Sequence, residues 1–119
     1  MISAENFAHI KDIYVSSDPQ EHRPAWIYFG IVDGTIYIRA SGTQSSWWRS
    51  AILSKTGQIT IENKIYVVKF DQVSDPKIIE QMNQSYLARY PHYQTNPEIL
   101  ELEDSVKTTL KVTIEGALN

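Results

Sequence analysis

The sequence predicts a mainly β, α+β fold, a small antiparallel barrel with one long helix packed across it, on three observations. Runs rich in β-branched and aromatic residues follow one another through short turn-forming segments, as in hairpins, without the strand–helix–strand alternation of a parallel sheet. The segment from Asp75 to Pro91 carries a helical apolar stripe between a capping residue and a helix breaker. The chain has 119 residues, 42% of them hydrophobic, which suits one core. A sheet over so small a core is more easily closed or covered by a helix than left open. Residues 1–119 are therefore expected to form a single domain.

Ser3 is placed to cap a helix reaching Asp12, with Phe7 and Ile10 as a narrow apolar stripe, and Asp12 to Ser16 reads as a strand. Ser17 to Pro24 is polar and punctuated by proline, hence loop. Asp33-Gly34 then separates two strand-like runs and fits a two-residue type I′ turn. Counting outward from Val32 and Thr35, the pairs Ile31–Ile36, Phe29–Ile38 and Ile27–Ala40 form a wholly apolar face. The other face sets Gly30 against Tyr37, Tyr28 against Arg39 and Trp26 against Ser41, an aromatic band with one guanidinium and a glycine gap. Trp47 to Ser54 is expected to be a short helix in which Trp48, Ala51 and Ile52 share a face. Gln58 to Glu62 and Ile65 to Phe70 form a second hairpin of open register. A three-residue loop pairs Ile61 with Ile65, and a four-residue loop pairs Ile61 with Tyr66. Asp75 caps the long helix, Pro76 starts it, Ile79, Met82, Tyr86 and Tyr90 form its stripe, and Pro91 stops it. A turn is expected at Asn96-Pro97-Glu98. Val106 to Glu115 alternates as a half-buried strand.

Composition narrows function by exclusion. A net charge of −3 and a pI near 5.5 argue against a nucleic-acid surface, which needs clustered cations. The absence of cysteine removes disulfides, thiolate metal sites and thiol catalysis, and permits a reducing compartment. No apolar stretch approaches the length of a membrane span and no leader pattern opens the chain, so a soluble, cytoplasmic protein without membrane partners is expected. His9, His22 and His92 lie far apart without metal-ligand spacing, so no metal is assigned. No serine sits in a nucleophile-elbow sequence. Glu101, Glu103 and Asp104 read as a solvated acidic face, and no carboxylate pair supports glycosidase chemistry.

One constellation carries chemistry. Arg39 and Arg49 bracket Ser41-Gly42-Thr43-Gln44-Ser45-Ser46, a loop dense in hydroxyls that leads into a helix start. Guanidinium forks, hydroxyls and free backbone N–H groups together suit a phosphate or carboxylate, against the plainer alternative of a solvated connector with surface ion pairs. Adjacent helical positions point about 100° apart, so Trp48 is expected in the core and Trp47 partly exposed, available to stack on a ligand ring.

The order Asp33-Gly-x-Ile-Tyr-Ile-Arg-x-x-Gly42, Trp47-Trp48-Arg49, Gly57-x-Ile, Val67-x-Lys-Phe70 and Tyr86-x-x-Arg-Tyr90 resembles an uncharacterised, largely bacterial domain-of-unknown-function family. That family's motif reads VDG-x-LYVRS-x-G, WYR, V-x-F and AY-x-x-KY. The resemblance runs from about Pro24 to the last strand. Here Trp48 stands where the family usually has Tyr, Ala40 where it has Ser and Arg89 where it has Lys. More distantly, the layout is similar to the flavin-binding split-barrel superfamily and its deazaflavin-dependent nitroreductase branch. This resemblance implies a split β-barrel, often a homodimer, with FMN or a deazaflavin across the outer barrel surface. By position it matches Arg39, Ser41 and Gly42 to the family's strand end and loop and Trp47, Trp48 and Arg49 to its WYR. With Ser46 to help hold an anionic group and Tyr37 or Trp47 to cover a flavin-like ring, the expected cofactor-binding residues are Tyr37, Arg39, Ser41, Gly42, Ser46, Trp47 and Arg49, and no catalytic side chain is assigned. Two functions follow as expectations: a flavin- or deazaflavin-dependent oxidoreductase, or a non-catalytic module that binds a small molecule or protein through the same aromatic and arginine face. A third leaves that face buried under the long helix.

Overall fold

The structure is a computed structural model and describes residues 7–17, 24–40, 42–96, 98, 100 and 106–118. The elements are β1 (Ile13–Ser16), β2 (Ala25–Ile27), β3 (Phe29–Val32), β4 (Thr35–Ile38), α1 (Ser46–Ser54), β5 (Thr56–Ile61), β6 (Lys64–Gln72), α2 (Pro76–Arg89), α3 (His92–Thr95) and β7 (Leu110–Ala117). The strands form one antiparallel sheet in the order β2-β1-β5-β6-β7-β4-β3. Its two edge strands, β2 and β3, are separated in the chain by Tyr28 alone, so the edges meet there and the sheet rolls into a nearly closed barrel. No helix among the described residues is long and apolar enough to cross a membrane.

The first hairpin keeps its expected register from Val32–Thr35 to Phe29–Ile38. Asp33 and Gly34 take φ of 50° and 75°, as a type I′ turn requires. The pairing stops there. The expected pairs Ile27–Ala40 and Tyr28–Arg39 do not form, because the chain breaks at Tyr28 and β2 crosses to pair with β1, Ile13 with Ile27 and Tyr14 with Trp26. The third expected pair involves Ser41, which lies outside the described residues. What reads as one long strand is two, which brings the sheet to seven strands among the described residues.

Other expectations are corrected locally. The second hairpin turns through two residues, with Glu62 and Asn63 at φ of 51° and 68° and Ile61 opposite Lys64. Neither longer loop is used, because both residues accept the left-handed conformation that matches strand twist. The helix expected to reach Asp12 is replaced at Phe7–His9 by a single turn, closed by Ile10 N donating to Phe7 O at 2.9 Å, and residues 10–12 are irregular. Ser3 and the turn proline Pro97 lie outside the described residues. The last strand begins at Leu110 because Val106 and Lys107 form a helical turn that Thr109 N closes on Val106 O at 3.2 Å. The short helix α3 follows Pro91 where a loop was expected.

Helix α2 forms as the sequence predicts, with the Asp75 carboxylate accepting from Lys77 N at 2.9 Å and Pro76 in the first turn. The inward residues of the strands, among them Ile13, Phe29, Ile38, Ile59, Val68 and Leu110, fill the barrel, and α1 adds Trp47, Trp48 and Ala51. A second cluster lies outside the barrel, where Met82 and Tyr86 of α2, with Tyr90 at its C-terminal cap, cover Val32 and Tyr37. Gly30 makes that layer thin. A Cβ there would stand 3.2 Å from the Tyr86 ring and 3.3 Å from Met82 Cγ.

Candidate functional site

Strand alternation divides the β4 segment between the two clusters. Ile36, Ile38 and Ala40 point into the barrel, and Tyr37 and Arg39 point outward under α2. Arg39 is 8% exposed. Its Nε donates to Thr109 Oγ1 at 2.9 Å and its Nη1 to Leu100 O at 3.2 Å. The guanidinium lies 5.9 Å from the centre of the Tyr86 ring. Nη2 has no hydrogen-bond partner, and no carboxylate among the described residues pairs with the group. Burial lowers its pKa, opposed by the phenols of Tyr86 and Tyr93, but an arginine starts so high that it stays charged. A buried, unpaired cation is expensive, by several kcal/mol in order of magnitude. The arrangement thus leaves a positive charge and a free donor in a mostly apolar layer.

Tyrosines wall that layer. Tyr28 stacks on Tyr90 with ring centres 4.1 Å apart, Tyr86 meets Tyr90 edge-on at 5.5 Å, and Tyr93 lies 5.6 Å from Tyr86. Burial pushes the phenols of Tyr37, Tyr86, Tyr90 and Tyr93 above their ordinary value, so each is a neutral hydrogen-bonding group at physiological pH. The Tyr86 hydroxyl donates to Tyr28 O at 3.1 Å. The Tyr90 hydroxyl accepts from Phe29 N at 3.0 Å, and the carbonyls of Phe29 and Lys11 stand in reach of its proton. Arg89 donates through Nε to Phe29 O at 3.2 Å, through Nη1 to Ala8 O at 3.0 Å and through Nη2 to Ile10 O. The backbone groups left over at the Tyr28 corner are satisfied by side chains of α2 and its C-terminal Tyr90.

The remaining expected site residues lie along the chain that follows. Gly42 is half-buried, and its carbonyl accepts from Ser45 N at 3.1 Å. Ser46 and Arg49 are exposed on the first turn of α1, which carries no acidic residue and whose N-cap, Ser45, makes no side-chain cap. Ser41 lies outside the described residues. Trp47 and Trp48 are each 8% exposed and belong to the barrel core, so the expectation of a partly exposed Trp47 is corrected. Ser17 packs against the helix there, its Oγ donating to Trp47 O at 2.7 Å. Tyr37 and Arg39 therefore share one face, and Trp47 lies on the other side of the sheet. Two aromatic rings well exposed to solvent are Tyr14, 47% exposed, and Trp26, 53% exposed, directly opposite each other on β1 and β2.

Sequence reasoning missed Asn83, Tyr93, Leu100 and Thr109. Tyr86 appeared in it as part of a helix stripe and of the Tyr86-x-x-Arg-Tyr90 motif, without a role at the site. An uncharacterised family of proteins conserved in bacteria, DUF2255, matches residues 3–112, a span that includes Arg39, Tyr86 and Thr109. The chain belongs to this family. No curated protein matches it. Among solved structures, this DUF2255 protein is similar to HutZ, the heme storage protein from Vibrio cholerae, at a TM-score of 0.64 and 9% identity over 97% of this chain and 88% of that one. It is similar to a candidate 5-nitroimidazole antibiotic resistance protein from Bacteroides thetaiotaomicron at 0.60 and 12% identity, over 93% and 76%. It is also similar to the conserved hypothetical protein Rv2991 from Mycobacterium tuberculosis at 0.58 and 10% identity, over 100% and 82%. At such identities the likeness is one of fold.

Proposed function

We propose that this DUF2255 protein binds a flavin or deazaflavin and works as a reductase. The observation that carries the reading is Arg39, a buried guanidinium with an unused N–H and no carboxylate partner among the described residues. A group of that kind is most economically explained by an anionic or carbonyl-rich ligand that completes it. Arg39 lies three residues before Gly42, within about 11 Å along an extended chain. In this reading Arg39 gives its free N–H to the ligand, and Ser41, Gly42, Ser46 and Arg49, on the chain that follows, supply donors and charge for the cofactor's anionic group. Tyr37 and Trp47, buried on opposite sides of β4, support that region from within rather than covering the ring. When bound, the cofactor supplies the hydride chemistry, and the chain supplies position, charge and exclusion of water.

Thermal-shift titration with FMN, FAD, a deazaflavin and haem tests the reading, with the visible spectrum of the purified protein recorded first. Haem is included because HutZ, of similar fold, is a heme storage protein. A saturable rise in Tm with a flavin or deazaflavin is expected, on the order of 2.7 kcal/mol at about 100 times Kd. The rise should be lost in Arg39→Gln. Colourless protein whose melting no flavin changes would remove the proposal.

A second reading rests on the exposed Tyr14–Trp26 pair, which is suited to anchor a partner surface. On that reading the chain is a non-catalytic module and the expected homodimer forms through the outer face of β1 and β2. Loss of dimerisation in Trp26→Ser, with no ligand-linked change in Tm for the native chain, would favour it.

A further inference from the structure

Arg39 is not alone in the α2 layer in carrying an unmet polar atom. Asn83, 7% exposed, has its Oδ1 buried without a hydrogen-bond partner. One unmet atom is a donor and the other an acceptor, and they are not bonded to each other. Helix geometry places them on one side of α2. Asn83 is three residues before Tyr86, whose ring carries the Arg39 guanidinium, and positions three apart lie about 60° apart on the helix surface. Ser85 marks the other margin of the buried face, where its Oγ accepts from Ile31 N of the edge strand β3 at 2.9 Å. Asn83 is about 160° round the helix from Ser85, so it faces away from β3, toward the side on which Leu100 and Thr109 hold Arg39.

Ile79, one turn before Asn83, supports this orientation. With Gln72, Val73, Ser74, Val106 and Lys107 it lines a groove of about 380 Å³. Val73 N donates to Thr109 O at 3.1 Å, and Thr109 Oγ1 in turn accepts from Arg39 Nε. The groove wall is thus one residue from the guanidinium.

We propose that this groove is the mouth of a ligand site whose inner wall is Arg39 and Asn83, and that the group it reads is a planar amide or imide edge, O=C–N–H. The carbonyl accepts from Arg39 Nη2 and the N–H donates to Asn83 Oδ1. The pyrimidine ring of a flavin or deazaflavin carries such an edge, so the inference rests on the cofactor reading and adds to it the part of the ring that the protein recognises. Asn83 becomes a specificity-determining residue, since a site built to accept an N–H discriminates against a ligand that lacks it.

The test uses the whole chain with lumiflavin, which has no phosphate, and with its N3-methyl derivative, which keeps the carbonyl and loses the N–H. Binding is followed by flavin fluorescence. The native chain is expected to bind the methylated ring about tenfold or more weakly, and Asn83→Leu, checked for folding by its melting curve, to bind the two rings alike. Equal affinity of the native chain for both rings, with FMN still bound, would overturn this inference and leave the cofactor reading intact. A preference that persists unchanged in folded Asn83→Leu would do the same. Failure to bind any flavin would overturn both.

Discussion

Arg39 is held by a hydroxyl, a carbonyl and an aromatic ring, all neutral, and its charge is therefore retained without being cancelled among the described residues. A residue kept in that condition costs stability. Arg39→Met, which fills a similar volume without charge, is expected to leave the ligand-free protein within about 1 kcal/mol of native stability by urea denaturation. The same substitution should abolish the ligand-linked rise in Tm. A drop of several kcal/mol would mean that Arg39 is structural. The buried tyrosines make stability depend on alkaline pH. Tyr37, Tyr86, Tyr90 and Tyr93 all have folded pKa values raised by burial, so the folded state holds their protons more tightly than the unfolded chain. Their contribution is complete below the unfolded tyrosine value of about 10 and is lost as pH rises through the folded values. Alkaline titration should show phenol absorbance at 295 nm appearing together with loss of circular dichroism. Ionisation of all the tyrosines in a still-folded protein would contradict the packing. Arg39 was legible as a candidate ligand-binding cation, but its surroundings were not, because the stripe Met82, Tyr86, Tyr90 reads equally well as plain core. Asn83 breaks no pattern, and Leu100 and Thr109 are joined to Arg39 only by the fold.

Between elements, the decisive contact is α2 on β3, and Gly30 sets its distance. Gly30→Ala is expected to cost about 1–3 kcal/mol, read as a lower urea midpoint with unchanged slope, because the new methyl must displace Tyr86 or Met82. Tyr90→Phe should cost about as much for a different reason, since it leaves the buried Phe29 N–H without its acceptor. Elements defined by local chemistry were readable in advance. Asp33-Gly34 fixed its hairpin, and Asp75-Pro76 with Pro91 delimited α2 to within a residue or two. Elements defined by distant partners were not. Glu62-Asn63 lacks a glycine and so concealed a two-residue turn. The run from Ala25 to Val32 gives no local sign of breaking at Tyr28, since the break is imposed by which strands its two halves join. Trp47 was expected to be partly exposed because adjacent helical positions diverge, yet both Trp47 and Trp48 enter the barrel core.

Across the whole molecule, the sheet order puts β6 at the centre, paired along its length with β5 and β7, and puts β2 at an edge with three residues. Amide exchange should divide accordingly, with β6 protected up to global unfolding and β2 exchanging through smaller openings. Protection of β2 equal to that of β6 would show that the edge is covered in solution, as the homodimer reading requires. The Tyr28 corner has one more consequence. Because β2 and β3 are successive stretches of one chain, the two open edges of the barrel lie side by side, and the same few side chains, Tyr86, Arg89, Tyr90 and Ser85, occupy backbone groups there. Release of α2 would uncover the β3 edge beside that corner, a row of backbone groups ready to add a strand from another molecule. Helix α2 is thereby also the guard against edge-to-edge aggregation.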